Sequence, residues 1–190
     1  VVHLPAGKAV GEMVAQYQVS GLVAYAEPDY QMKAALAPHD PMFSNGTQWS
    51  LNNLGQSPGV PGADIKALPG WDTQTSASGI VVAVIDSGVR YTHEDLAPNM
   101  WVSPHDGGHG FNALTGSNDP ADDYGHGTLV AGIIGAAGNN SKGISGVAWR
   151  VQLMACKCLD AAGNGFVSDA IACVEYARTN GAHIINASWG

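Results

Sequence analysis

The chain has 190 residues, enough for one sizeable domain. Apolar residues make up 45% and charged residues 13%, a balance that excludes a disordered chain. The net charge of −8 and the lack of any Lys/Arg cluster argue against nucleic acid as a partner. No apolar run approaches the roughly 18 residues of a membrane-spanning helix, so no membrane partner is expected.

Three stretches differ in character. Residues 1–37 are moderately apolar and carry Glu27-Pro28-Asp29-Tyr30 near their end. Residues 38–78 are rich in Pro, Gly, Asn and Ser and read as an extended, turn-rich connection. From Gly79 onward strands and helices alternate. Ile80 to Ile85 is a nearly continuous β-branched run, which fits a strand buried on both faces of a parallel sheet. Thr128 to Ala137 is apolar and rich in Gly and Ala, and reads as a buried helix. Val151 to Leu159 reads as a second strand. Ser168 suits an N-cap for a helix from Asp169 to about Thr179, and Asp169 favours the helix dipole. Ile171, Val174 and Ala177 supply its apolar face. Gly181 sits where a left-handed C-terminal cap belongs. His183 to Ala187 reads as a third strand. This alternation implies an α/β fold: a parallel sheet with helices on both faces and right-handed crossovers.

Cys156 and Cys158 alternate on the second strand and point to one face. Their Cα atoms would lie about 6.5–7 Å apart, poor disulfide geometry, so with Cys173 they read as small buried apolar residues. A zinc site needs more Cys and His at ligand spacing than the chain offers.

In open α/β sheets, sites form beyond the carboxyl ends of the strands. Asp86 stands at such an end, directly after the apolar run. Taken alone it reads as a turn residue bonded to the backbone of Ser87-Gly88. Downstream, Asp122-Asp123-Tyr124-Gly125-His126-Gly127-Thr128 opens the buried helix. The glycines flanking His126 let backbone approach closely and leave the imidazole accessible. A strand-end Asp and a helix-start His facing one crevice form a catalytic arrangement. The carboxylate fixes the imidazole tautomer, and the imidazole takes a proton from a nucleophile.

Val84-Ile85-Asp86-Ser87-Gly88-Val89 resembles the aspartate motif of the subtilisin-like (subtilase) serine peptidase family. His93-Glu94-Asp95-Leu96 follows at the family's distance. Gly125-His126-Gly127-Thr128-Leu129-Val130-Ala131-Gly132 is similar to its histidine motif. Asp precedes His, the family's chain order. The likeness runs from about Pro38 to Gly190. It implies Asp86 and His126 as catalytic residues. Ser188-Trp189-Gly190 resembles the strand that pairs with substrate and lines the first specificity pocket, with Trp189 in place of the commoner Leu. Gly163-Asn164-Gly165 resembles the second substrate-pairing strand, where a peptide adds as a further strand. Without the family likeness that stretch is an ordinary turn.

The resemblance also implies a structural Ca²⁺. Asp95 falls where the family's strong site takes a carboxylate. The Asn139-Asn140 loop supplies carbonyls and an amide oxygen, assigned to Asn140. Asp40 resembles the N-terminal ligand of some members. These residues otherwise read as turn formers. Residues 1–37 resemble the end of an inhibitory prodomain, with Ala26 to Tyr30 similar to its last strand and processing between about Tyr30 and Asp40. The other reading of 1–37 is an N-terminal arm of the domain over 38–190.

No Gly-Thr-Ser-Met-Ala type segment, which carries the family's nucleophile, occurs in these 190 residues, nor does the later Ala-Gly-Asn segment of the oxyanion hole. Ser145, in Gly143-Ile144-Ser145-Gly146, stands in a surface turn too close to His126 in sequence. The first residue is Val and no signal peptide follows it. The expectation is a piece of a larger secreted endopeptidase, monomeric, inactive by itself, acting on peptides or proteins and held in check by its own prodomain. The alternative is a naturally truncated, non-catalytic protein that binds peptides through Ser188-Trp189-Gly190 or inhibits proteases through residues 1–37. A nucleotide-binding domain is disfavoured, because Asp86-Ser87-Gly88 is not a G-x-G-x-x-G turn and no Walker-type Lys is present.

Overall fold

A computed structural model describes residues 2–29, 36–56 and 58–190. The chain separates into two compact units, Val1–Ala34 and Ala35–Gly190. The first holds helix α1 (Val10–Ser20), which ends on the left-handed Gly21 and buries none of its residues. Residues 26–29 form no strand, contrary to the expected last strand, and Tyr30 lies outside the described residues.

The second unit begins with two short helices, α2 (Pro41–Ser44) and α3 (Ala67–Trp71). These break up the stretch expected to be extended. They close over a small core in which Trp71 stands between Phe43 and Trp149, at ring-centroid distances of 5.7 and 5.2 Å. Then come β1 (Ser76–Asp86), β2 (Gly110–Asn112), α4 (His126–Gly135), β3 (Arg150–Lys157), α5 (Val167–Thr179) and β4 (Ile184–Ala187). The strands form one four-stranded sheet in the order β2-β3-β1-β4, with every pairing parallel.

The β-branched run of β1 is central and buried on both faces, as its composition requires. Val82 and Val84 face Ala131 of α4, with Leu153 and Ala155 of β3 beside them. Val81, Ala83 and Ile85 face the opposite way, with Met154 and Cys156, onto Ala170, Cys173 and Ala177 of α5. Helices therefore cover both faces of a parallel sheet. Full burial of a side chain such as Ile85 is worth roughly 1.5–3 kcal/mol.

Three expectations differ from the structure, and one strand is new. Helix α4 is not buried all round: Gly127, Ala131, Gly132 and Gly135 turn inward, while Leu129 and Ile133 are 70% and 63% exposed. The small residues let α4 lie close on the sheet. On α5 the buried seam is Ala170, Cys173 and Ala177, at i, i+3 and i+7, and Ile171 and Val174 face outward. Ser168 lies in the first turn of α5, whose N-cap is Phe166 with no side-chain cap. Nothing local announces strand β2, because Gly110–Asn112 has neither length nor β-branching.

Gly181 does end α5. Its φ is 81°, its N–H donates to Arg178 O at 3.4 Å, and Ala182 N–H donates to Ala177 O at 2.9 Å. These are the paired bonds of a Schellman motif. The three cysteines are free and buried, and all join the core on the α5 side of the sheet.

Replacing Leu153, which is fully buried, by Ala is expected to cost about 2–5 kcal/mol in denaturant unfolding. Ile133→Ala, on the outward face of α4, should stay within about 0.5 kcal/mol. Equal costs at the two positions would refute the assignment of faces.

Candidate active site

Strand β1 delivers Asp86 to the carboxyl edge of the sheet with no exposed surface. Its carbonyl accepts N–H bonds from Cys158 (2.8 Å) and Leu159 (3.2 Å), which lock the strand end. A buried carboxylate is tolerable only when it is bonded. Oδ1 accepts from Ser87 N–H at 2.7 Å, and His126 Nδ1 lies 2.8 Å from Oδ1 and 2.9 Å from Oδ2. An ionised carboxylate can only accept, so Nδ1 carries the hydrogen and Nε2 is left as a base. The His126 side chain is 43% exposed, so the ring is held at one end and accessible at the other.

His126 is the first residue of α4, behind the left-handed N-cap Gly125. Gly127 must be glycine for a steric reason. A Cβ there would stand 2.2 Å from Gly88 O and 3.0 Å from the Asp86 Cβ. That contact is what brings the helix start to the strand end.

A second carboxylate organises the approach to His126. Asp122 accepts the hydroxyl of Ser87 (2.9 Å) and the N–H groups of Tyr124 (3.1 Å), Gly125 (2.8 Å) and Thr128 (3.0 Å), together with the Thr128 hydroxyl. Ser87 Oγ in turn accepts from Gly127 N–H at 2.9 Å. Burial pushes the Asp122 carboxyl up, but the bonds from Thr128, Gly125, Tyr124 and Ser87 outweigh it and hold the group below its ordinary value.

Gly163, Asn164, Gly165, Trp189 and Gly190 line one cavity of about 370 Å³. Ser188 does not line it; its hydroxyl accepts from Asn186 Nδ2 at 2.9 Å. Trp189 Nε1 donates to Ile85 O at 2.7 Å, which anchors the ring beside the end of β1. The opposite wall is a loop wound on Asp160, whose carboxylate accepts from Ala162 and Asn164 N–H, both at 2.9 Å. Those bonds, Asn164 first, hold the Asp160 carboxyl below its ordinary value.

Asp40, Asp95 and Asn140 also meet. Asp40 accepts N–H bonds from Asn139 (2.6 Å) and Asn140 (3.1 Å). Asp95 accepts from Asn140 Nδ2 (2.8 Å) and Ile144 N–H (3.0 Å). Both carboxylates are buried, yet no cationic side chain pairs with either among the described residues. Two buried carboxylates without a cationic partner, each facing N–H donors in this structure, are oxygen ligands of the kind a hard divalent cation takes. The Asn140 side chain here turns its nitrogen to Asp95 and its oxygen to Lys142 N–H. An amide rotation would offer the oxygen instead. Ser145 is fully buried rather than in a surface turn, and its Oγ contacts Gly146 O at 3.3 Å.

The profile of the Subtilase family matches residues 77–190. The chain belongs to the subtilase family. It is 37% identical over 169 residues to a thermophilic serine proteinase of Bacillus sp. (strain AK1), covering 89% of this chain and 37% of that protein. It is 33% identical over 190 residues to the cell wall-associated protease of Bacillus subtilis (strain 168), covering 99% of this chain and 20% of that one. The crystal structure of the serine protease of Aeromonas sobria superposes with a TM-score of 0.69 at 28% identity, over 90% of this chain and 29% of that one. The chain thus spans well under half the length of these subtilases.

The sequence motifs of a subtilase led to Asp86 and His126 but not to the residues around them. Ser87 and Asp122 stood inside the motif strings without a role. What assigns them one is the hydrogen-bond chain from Gly127 through Ser87 to Asp122, which joins segments distant in sequence. Lys157 gave no signal at all, being one charge in an apolar strand.

The ordinary value for Asp122 is 3.8, and the folded value lies below it. Its stabilising contribution is therefore present above about pH 4 and is lost as pH falls through the folded value. Asp122→Asn is expected to lower the unfolding midpoint at pH 7, with the gap to wild type narrowing by pH 3. Urea unfolding at both pH values checks this, and a pH-independent gap refutes it.

Proposed function

We propose that these residues carry the acid and base of a serine endopeptidase. Asp86 orients His126 and stabilises its imidazolium. His126 takes the proton of a serine hydroxyl as that oxygen attacks a peptide carbonyl, then returns it to the leaving amine. The single observation that carries the reading is the pairing of His126 Nδ1 with both oxygens of a fully buried Asp86, leaving Nε2 as the base. The cavity lined by Gly163-Asn164-Gly165 and Trp189-Gly190 supports a peptide substrate bound along these two loop segments.

The serine and the oxyanion donor belong to segments that these 190 residues do not contain, so the chain by itself does not hydrolyse peptides. In subtilisin itself, losing one triad member costs on the order of 10⁴–10⁶ in kcat. Residues 1–37 act as the end of an inhibitory prodomain, a reading supported by the separate compact unit Val1–Ala34. Processing falls between about Tyr30 and Asp40, of which residues 30–35 lie outside the described residues. The parent protein is read as secreted and monomeric. Among the described residues no helix is long and apolar enough to cross a membrane. Asp40, Asp95 and Asn140 hold a structural Ca²⁺, which neutralises the two buried carboxylates and fixes the loop that follows α4.

Two experiments test these roles. In a chain that also carries the serine-bearing part of the domain, His126→Ala should abolish both peptide hydrolysis and labelling by a fluorophosphonate. Labelling that persists in that variant refutes His126 as the base. For the cation, adding Ca²⁺ at about 100 times its Kd should stabilise the metal-free chain by about 2.7 kcal/mol in thermal unfolding. Asp95→Ala should erase that increment. An unfolding midpoint indifferent to Ca²⁺ eliminates the site.

A further inference from the structure

Lys157 ends β3, level with Asp86 in the register of the sheet. Its side chain is only 4% exposed. A buried ammonium is tolerated when each of its N–H groups finds an acceptor. Here the three acceptors come from three different segments. Nζ donates to Ser87 O at 2.8 Å, to Leu159 O at 2.7 Å and to Asp123 Oδ1 at 2.6 Å. Ser87 follows the acid in sequence, and Asp123 lies in the loop that enters α4 at His126. Leu159 lines the cavity with Gly163-Asn164-Gly165.

We propose that Lys157 is a positioning residue that holds the acid corner, the histidine loop and the substrate loop in register through one buried ammonium. It touches neither substrate nor the reacting atoms. It acts on Asp86 through the backbone of Ser87, on His126 through Asp123, and on the cavity wall through the carbonyl of Leu159. The same β3–loop junction also sends Cys158 and Leu159 N–H to Asp86 O, so the wall and the acid share one anchorage. The inference rests on the reading of Asp86 and His126 as orienter and base.

The test uses proton NMR on the full 190-residue chain. It follows solvent exchange of the His126 Nδ1–H and of the Leu159 and Asp160 amides, with the β1 amides of Ala83 and Val84 as an internal reference. Lys157→Met keeps the alkyl stem and removes the donors. It is expected to speed exchange at His126 Nδ1–H, Leu159 and Asp160 by about tenfold, the loss of about one charge-assisted bond, with β1 unchanged. Lys157→Arg, which keeps charge and donors, should return exchange to within about threefold of wild type. Unchanged exchange in a folded Lys157→Met chain, or equal loss in both variants with β1 intact, overturns the proposal. If Lys157→Met loses protection in β1 as well, Asp123→Ala decides. That half-exposed side chain can be removed without opening the core, and it should speed His126 Nδ1–H exchange about threefold; no change overturns the proposal. Asp86→Ala, which removes both acceptor oxygens, separates the two readings. If it leaves the protected Nδ1–H signal intact, the acid–base reading falls. If it removes the signal while Lys157→Met changes nothing, only the role of Lys157 falls.

Discussion

A carboxylate with no exposed surface, at the end of the central strand, sets the terms for everything around it. A carboxylate buried there is costly without donors, and those of Asp86 come from different parts of the chain: Ser87 N–H from the turn, and the imidazole of His126 from the start of a helix. Bringing the helix that close requires Gly127 against Gly88. Keeping its first turn in place requires Asp122, which gathers the loop's N–H groups and hydroxyls. The Asp86–His126 pair is thus one end of a polar network that begins in the demand of a single buried carboxylate.

Charge management recurs across this acidic domain. Asp122 is stabilised by hydrogen bonds that outweigh its burial. Lys157 is neutralised by Asp123 and by two carbonyls. Asp40 and Asp95, like Asp122, have neutral donors and no cationic side chain beside them among the described residues. Beneath the polar layer, contact among the three buried thiols and the loss of water push Cys158 and Cys173 up, so they remain protonated and act as packing atoms.

The legible part of the fold was the part with strong periodicity. The run of β1 announced a strand buried on both faces, and the Gly181 cap announced the end of α5. What failed were inferences about faces. Ile171 and Val174 looked like the inner face of α5 because they are the larger apolar residues, yet small Ala170 and Cys173 pack inward because the helix must sit close to the sheet. In the same way the composition of α4 points to a buried helix, although Leu129 and Ile133 face outward. Hydrophobicity records which residues favour burial; close packing between layers decides which are admitted.

At the site, local motifs were enough to name Asp86 and His126, because chain order and flanking glycines are properties of contiguous residues. The same holds for the family and for the parallel α/β class. Only the tertiary structure decided that Asp86 meets Nδ1 with both oxygens, that Gly163-Asn164-Gly165 and Trp189 share one cavity, and that Lys157 ties three segments together. Each of those facts joins residues tens of positions apart, and their distance in space is set by sheet order and register, which no local pattern encodes.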